Sequence, residues 1–316
     1  MSDHWSERHE CGGRRAIRLI RFITLHLGRP FALALLYPIT LYFYLRREPE
    51  RRASREFLTR ALGRPATPWE VMRHIRKYAT TLVDRIYLLA ESTKRFEITT
   101  HGLKELDDLI EQNRGVLLLG AHIGSFEVLR AISDRRPDLQ TRILMDRQQT
   151  PELTSMLMAL NPAVANSIID VGVNDTDIAL AIQDAAKQNA LIGMLADRSR
   201  PKETTTMVPF FGSPAPFPVA PYLIASLLDL PVVLTFGLYR GGNRYDLYFE
   251  TLSERIVIPR RERAALMHEW AARYAARLEH YTRLDPYNWF NFYDFWHRAD
   301  DPAPAGRSNA VIEPAA

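Results

Sequence analysis

The chain has 316 residues, 47% of them hydrophobic, and a formal net charge of +4. That is ample apolar material for one large core or two ordinary ones, and the modest charge gives no electrostatic reason to expect a nucleic-acid partner. The only cysteine, Cys11, excludes an intrachain disulfide and a cysteine-based zinc site, which is compatible with a reducing compartment.

Residues 1–15 are polar and are expected to form a disordered tail. Residues 16–47 then combine a basic apolar stretch with the uncharged run Pro30 to Leu45, closed by Arg46 and Arg47. The run is about four residues short of the roughly 20 that cross a bilayer. It is expected to anchor the chain at a membrane, either crossing with Arg29 snorkelling or lying in the interface, with Tyr37, Tyr42, Phe43 and Tyr44 as an aromatic belt. The alternative is an amphipathic helix buried against the domain. No small-residue cleavage site follows the run, so a signal peptide is not expected.

Residues 48–300 read as one catalytic-size domain, followed by a Pro/Ala-rich tail at 301–316. Arg46 to Ala61 is charged and helical. Thr67-Pro-Trp-Glu70 has the form of a capping box that opens a helix whose apolar face runs Val71, Ile75, Tyr78, Leu82, Ile86, Leu89. Arg95 to Thr100 alternates like a strand, and Leu103 to Gln112 like a helix. Strands at Val116, Arg142–Met145, Ser167–Asp170, Ala190–Ala196 and Pro231–Leu238 then alternate with helices at Pro151–Leu160, Thr176–Gln188 and Pro218–Leu228. This order predicts an α/β fold with a mostly parallel central sheet flanked by helices. Arg244 to Glu250 reads as one further strand, of the antiparallel kind, and Arg261 to Arg283 as a long amphipathic helix. There is no internal repeat.

The stretch from Gly115 to Arg130 carries the first chemical signal. Gly115 to Ala121 is a run suited to a strand buried on both faces, with His122 at its carboxyl end and Glu127 five residues on. On a continuous helix the two side chains would stand roughly 140° apart. With His122 in the turn, Gly124 bending the chain and Ser125 near the helix N-cap, Glu127 can reach back to the imidazole. A carboxylate on one ring nitrogen leaves the other free to take a proton. The plainer alternative is a loop histidine and a glutamate that complements a helix dipole.

Three further clusters fall at strand ends or in loops. Arg147 follows the Arg142 strand and suits bidentate binding of a phosphate or carboxylate, or an ordinary ion pair with Asp146 or Glu152. Asp197 and Arg198 follow the Ala190 strand and suit an anionic substrate, or simply neutralise each other. Phe210, Phe211 and Gly212 open a rigid aromatic loop up to Pro218, suited to an acyl chain or to core packing. The aromatic run from Pro286 to Trp296 could line a pocket or cap the sheet. No Gly-x-Ser-x-Gly elbow occurs, and no second histidine sits at ligand spacing from His122, so serine and metal hydrolases are disfavoured.

His122-x4-Glu127, Arg147, Ala196-Asp197 and Val208-Pro-Phe-Phe-Gly-x-x-Ala215-x-Phe-Pro218, in this order, resemble the bacterial lipid A biosynthesis (lauroyl/myristoyl) acyltransferases of the lysophospholipid acyltransferase superfamily. The resemblance runs from about Ala16 to Arg298. It implies transfer of a fatty acyl group from an acyl thioester, acyl carrier protein foremost, to a hydroxyl or amine of a lipid or glycolipid, on the cytoplasmic face of a bacterial inner membrane. It further implies His122 as general base, Glu127 as its orienting partner, Arg147 as a binding or transition-state residue, and Asp197 in the substrate site. Backbone N–H groups near Gly124 and Ser125, or the Arg147 guanidinium, would hold the oxyanion. No metal and no cofactor is implied. The aromatic run at the carboxyl end resembles a divergent branch linked to aryl-polyene and polyketide-type lipids. Phe217-Pro-Val-Ala stands where the superfamily has a Phe-Pro-Glu-Gly-type phosphate block, which disfavours glycerol phosphate as acceptor. A catalytically silent lipid-binding or scaffold protein of the same fold is the alternative from another class.

Overall fold

The computed structural model describes residues 26–90, 93–136, 138–147, 151–172, 175–200 and 203–296. The two expected tails and the basic part of the N-terminal stretch up to residue 25 lie outside them. Three helices lead: α1 (Arg29–Arg46), α2 (Glu48–Leu62) and α3 (Pro68–Ala90). The capping box at the start of α3 is present. The Thr67 backbone N–H donates to Glu70 Oε2 at 2.9 Å and the Glu70 N–H donates to Thr67 Oγ1 at 3.3 Å.

The sheet strands are β1 (Glu97–His101), β2 (Val116–Gly120), β3 (Thr141–Met145), β4 (Ile168–Asp170) and β5 (Leu191–Leu195). After the two-stranded ribbon β6 (Thr205–Phe210) and β7 (Ser213–Pro218), the sheet takes β8 (Val232–Gly241) and β9 (Arg244–Ser253). The sheet order is β1-β9-β8-β2-β5-β3-β4. The five strands from β8 to β4 are parallel, β9 runs antiparallel to β8, and β1 is parallel to β9.

Because successive strand residues face opposite sides, β2 feeds two cores. Leu117 and Leu119 join Ile192, Val232 and Leu234 on one face, under α2, α5 (Asp175–Lys187), α6 (Ala220–Leu227) and α7 (Arg263–Leu284). Val116 and Leu118 join Leu191, Val233 and Leu247 on the other, under α1, α3 and α4 (Leu103–Ile110). Helices therefore cover both faces of a mostly parallel sheet, which is the expected class.

Two expectations need correction. No helix among the described residues is long and apolar enough to cross a membrane. Instead α1 docks on α3, burying Ala32, Leu36 and Thr40. Its first residue, Arg29, grips Asp84 with Nε at 2.6 Å and Nη2 at 3.0 Å, and Tyr245 OH donates to the same carboxylate at 2.8 Å. The stretch Phe210 to Pro218, expected as a rigid loop, is instead part of a hairpin over 205–218. Pro209, Pro214, Pro216 and Pro218 hide its strand pattern, yet a two-stranded ribbon has outer edges where a missing N–H is tolerated.

Candidate active site

Strand register builds the centre of the site. Gly120 of β2 pairs with Leu195 of β5, and His122 and Asp197 each lie two residues farther along. The equal overhang sets them side by side at the carboxyl edge of the sheet, where open α/β sheets carry their ligands. His122 Nδ1 lies 2.8 Å from Asp197 Oδ1, and the His122 backbone N–H donates to Oδ2 at 3.1 Å. The Trp289 indole N–H donates to the same Oδ2 at 3.0 Å, and Arg198 Nε stands 3.9 Å from it.

Asp197 has no exposed surface. Burial acts to raise its pKa, but the charges of His122 and Arg198 and the hydrogen bonds from His122 outweigh burial and hold the carboxyl well below the usual range. An ionised carboxylate only accepts, so the proton of His122 is on Nδ1 and the lone pair on Nε2. Burial first, then the nearby Arg198 and Arg85, depress the His122 pKa more than Asp197 raises it. The imidazole is neutral at pH 7, with 34% of its side chain still exposed. A neutral histidine with one nitrogen tied to a carboxylate and the other basic is equipped to remove a proton.

Glu127 does not reach the imidazole, contrary to the sequence reading. Gly124, at φ +60°, and the extended Ser125 turn the chain before a 3₁₀ turn, Phe126–Leu129. That turn carries Glu127 to α3, where Oε1 is 2.5 Å from Arg85 Nε and Oε2 accepts from Ser125 Oγ at 2.8 Å. A Cβ at Gly124 would lie 1.8 Å from the Gly237 carbonyl oxygen, so only glycine permits this approach to β8.

The expected oxyanion donors are also taken. The Gly124 N–H donates to the Asn288 carbonyl and the Ser125 N–H to the Gly237 carbonyl, each at 2.8 Å. Arg147 is not brought to the dyad. Its Nη2 donates to the Ala165 carbonyl at 3.2 Å, at the end of β3, two strands or roughly 10 Å from β2. Arg198 stays at the site, with Nη2 donating to the Phe290 carbonyl at 2.5 Å and its guanidinium 5.1 Å from the Tyr293 ring.

Phe210 and Phe211 are buried, and Phe211 and Gly212 form the β6–β7 turn with φ of 48° and 75°. Phe210 packs against Phe217, Trp289, Phe295 and Trp296 at ring-centre distances of 5.2–6.1 Å. Phe210 and Phe211 thus take the core-packing alternative, and the block supports the segment that brings Trp289 to Asp197.

The sequence reading missed Arg85, Trp289 and His74. Arg85 is one charged residue on a helix read for its apolar face, and only the fold turns it toward Glu127. Trp289 lay inside the noted aromatic run, but nothing in the order of residues marks one indole among several rings. His74 is buried, with Nδ1 at 2.7 Å from Ser54 Oγ and Nε2 at 2.9 Å from the Trp289 carbonyl. Burial pushes its pKa down to about 3, so it anchors that carbonyl as a neutral donor. Among the described residues no cluster of His, Cys, Asp and Glu could hold a metal ion.

A family model described as bacterial lipid A biosynthesis acyltransferase matches residues 21–298. No curated protein matches the chain. Since the family match takes in both sheet-covering layers, the dyad and the aromatic segment over it, the chain belongs to the bacterial lipid A biosynthesis acyltransferase family and is an acyltransferase.

Proposed function

We propose that this enzyme transfers a fatty acyl group from an acyl thioester, carried by acyl carrier protein, to a hydroxyl of a lipid A-like acceptor, with His122 as general base and Asp197 as its partner. The observation that carries the mechanism is the 2.8 Å contact of Nδ1 with a buried, ionised carboxylate. It leaves Nε2 as the basic nitrogen on a ring with exposed surface.

The acceptor O–H gives its proton to Nε2 while its oxygen attacks the thioester carbonyl. The carbonyl π electrons move to oxygen, and the tetrahedral intermediate collapses by breaking the carbon–sulfur bond. The imidazolium returns its proton to the leaving thiolate, so no covalent acyl-enzyme is required. With the Gly124 and Ser125 amides engaged, the oxyanion falls to the positive charges beside His122, Arg85 and Arg198. Glu127 then acts by holding Arg85. Arg147, on the same carboxyl edge of the sheet, is a contact for an anionic group of the acceptor.

The outward face of α1 exposes Phe31, Tyr37, Leu41, Tyr42 and Leu45 and ends at Arg46. This supports attachment to an anionic lipid surface, the cytoplasmic leaflet of the bacterial inner membrane, by lying on it.

Purified enzyme and its His122→Ala variant, each given labelled acyl carrier thioester and a lipid extract from the source cells, test the proposal. Label should enter lipid with the native chain and fall by about 10²–10⁴-fold in the variant. Equal label with both proteins would remove His122 as the base. Transfer from a small-molecule thioester but not from the carrier would remove acyl carrier protein as the donor.

A further inference from the structure

The segment 286–291 lies across the dyad and stitches itself to the His122 loop. The Gly124 N–H donates to the Asn288 carbonyl at 2.8 Å, and the Phe290 N–H donates to the His122 carbonyl at 2.8 Å. Ile123 and Trp289 form an antiparallel bridge between these bonds. We propose that Trp289 is a positioning residue for the base, the third member of a chain His122–Asp197–Trp289 in which its indole N–H decides which carboxylate oxygen faces the imidazole. The proposal rests on the reading of His122 as general base.

Oδ2 of Asp197 accepts two N–H groups, the His122 backbone at 3.1 Å and the Trp289 indole at 3.0 Å. Oδ1 is thereby left for Nδ1. With both donors on one oxygen, rotation of the carboxylate strains all three hydrogen bonds at once. The ring is fixed in turn. Trp289 has no exposed surface and meets Phe57 at 4.8 Å, Phe295 at 5.0 Å and Phe210 at 5.2 Å, all edge to face. Its own carbonyl is held by His74. Phenylalanine would satisfy that cluster, whereas the indole nitrogen serves Asp197.

Removing the N–H leaves the His122 backbone as the remaining donor to Oδ2, so the carboxylate rotates more freely and the geometry of Nδ1 against Oδ1 loosens. The carboxylate also loses one of the donors that spread its charge. Its charge then falls more fully on Nδ1–H and stabilises the imidazolium. Among the described residues, the other charged or titratable groups around the pair are Arg198 beside Asp197, Arg85 from α3 with Glu127 behind it, Tyr274 from the Arg263–Leu284 helix and Tyr293. None of them bonds to the indole.

The full-length enzyme and Trp289→Phe are compared for acyl transfer across pH. The acid limb of kcat/KM should move to higher pH and kcat should fall about tenfold with KM unchanged, the size of one lost hydrogen bond to a charged group. In an Asp197→Asn background the same change should add little. An acid limb at its native position with a fully additive loss would reduce Trp289 to packing. A measurement independent of that variant's folding uses ¹⁵N-tryptophan-labelled native enzyme. One indole N–H resonance should shift with the titration of His122 and stop doing so in His122→Gln; absence of any such resonance overturns the proposal. If His122→Ala keeps native transfer, the reading of the base fails. If it is inactive while Trp289→Phe behaves as native, the inference about Trp289 alone fails.

Discussion

Replacing Asp197 by asparagine makes the sharpest demand on the dyad. Two N–H donors, the His122 backbone and the Trp289 indole, converge on Oδ2, and that position must remain an acceptor. The asparagine amide therefore has to place its oxygen there, which turns its NH₂ toward Nδ1 at the 2.8 Å position. Nδ1 can accept from that group only by losing its own proton, so the imidazole is driven to the tautomer with hydrogen on Nε2. The nitrogen that should act as base then carries the proton. In a Ser-His-Asp triad the same wrong-tautomer defect lowers kcat about 10⁴-fold, equivalent to about 5.5 kcal/mol, and a loss of that order is expected here. Glu127→Gln, by contrast, leaves His122 and Asp197 untouched and should lower kcat about tenfold through a loosened Arg85. Initial rates of labelled acyl transfer at saturating thioester, with circular dichroism to show that both variants fold, make the comparison. Glu127→Gln as damaging as Asp197→Asn, or Asp197→Asn within tenfold of native, would refute this reading of the dyad.

Gly124→Ala sets a Cβ 1.8 Å from the Gly237 carbonyl oxygen at φ +60°, whereas Gly63→Ala, at φ +68°, meets no atom within 4 Å. Thermal unfolding should show a loss of about 3 kcal/mol for the first and about 1 kcal/mol for the second, and equal losses would remove the packing argument. Arg29→Ala leaves the fully buried Asp84 without its cation, and equilibrium unfolding should register a loss of about 3–5 kcal/mol, partly restored by Asp84→Asn in the same chain. His74, with a pKa near 3 against an ordinary value of about 6.5, binds its proton more readily in the unfolded chain. Its contribution is complete above about pH 6.5 and fades toward about pH 3, so going from about pH 7.5 to about pH 5 should cost about 2 kcal/mol in urea unfolding. In His74→Gln that part of the pH slope should vanish.

Local chemistry was readable in the sequence. The run from Gly115 to Ala121 reads as a doubly buried strand because every position is apolar, and β2 occupies Val116–Gly120. Thr67 and Glu70 specify a cap within four residues, and they make it. Strand adjacency was not readable. The partner of His122 lies 75 residues away and reaches it only because β5 skips past β3 and β4 to pair with β2. A reader restricted to neighbours selects Glu127, five residues on. The same limit hid the docking of the helix Arg29–Arg46 on α3. Its apolar character suits a bilayer and a protein face equally, and what decides between them is one buried carboxylate, Asp84, on another helix. In β6 and β7 the local signal misleads, since four prolines suppress a strand pattern that pairing nonetheless completes.

The two functional parts of the site are held by different means, and the chemistry explains the division. Proton transfer requires donor and acceptor within about 2.6–3.2 Å, so the dyad rests on backbone register. The Gly120 carbonyl accepts from the Ala196 N–H at 3.0 Å and from Tyr274 OH at 2.7 Å, which locks the ends of β2 and β5 together just before His122 and Asp197. A charge that stabilises an oxyanion acts over a longer range, falling only as the inverse of distance. It can be carried on a long side chain such as Arg85, hung from α3 by its pairing with Glu127. Loosening that pairing moves a charge by an ångström or two and changes its effect by a modest factor. A comparable shift between β2 and β5 removes the proton acceptor from reach, which is why the base rests on the strand ends while a cation such as Arg85 can rest on a helix.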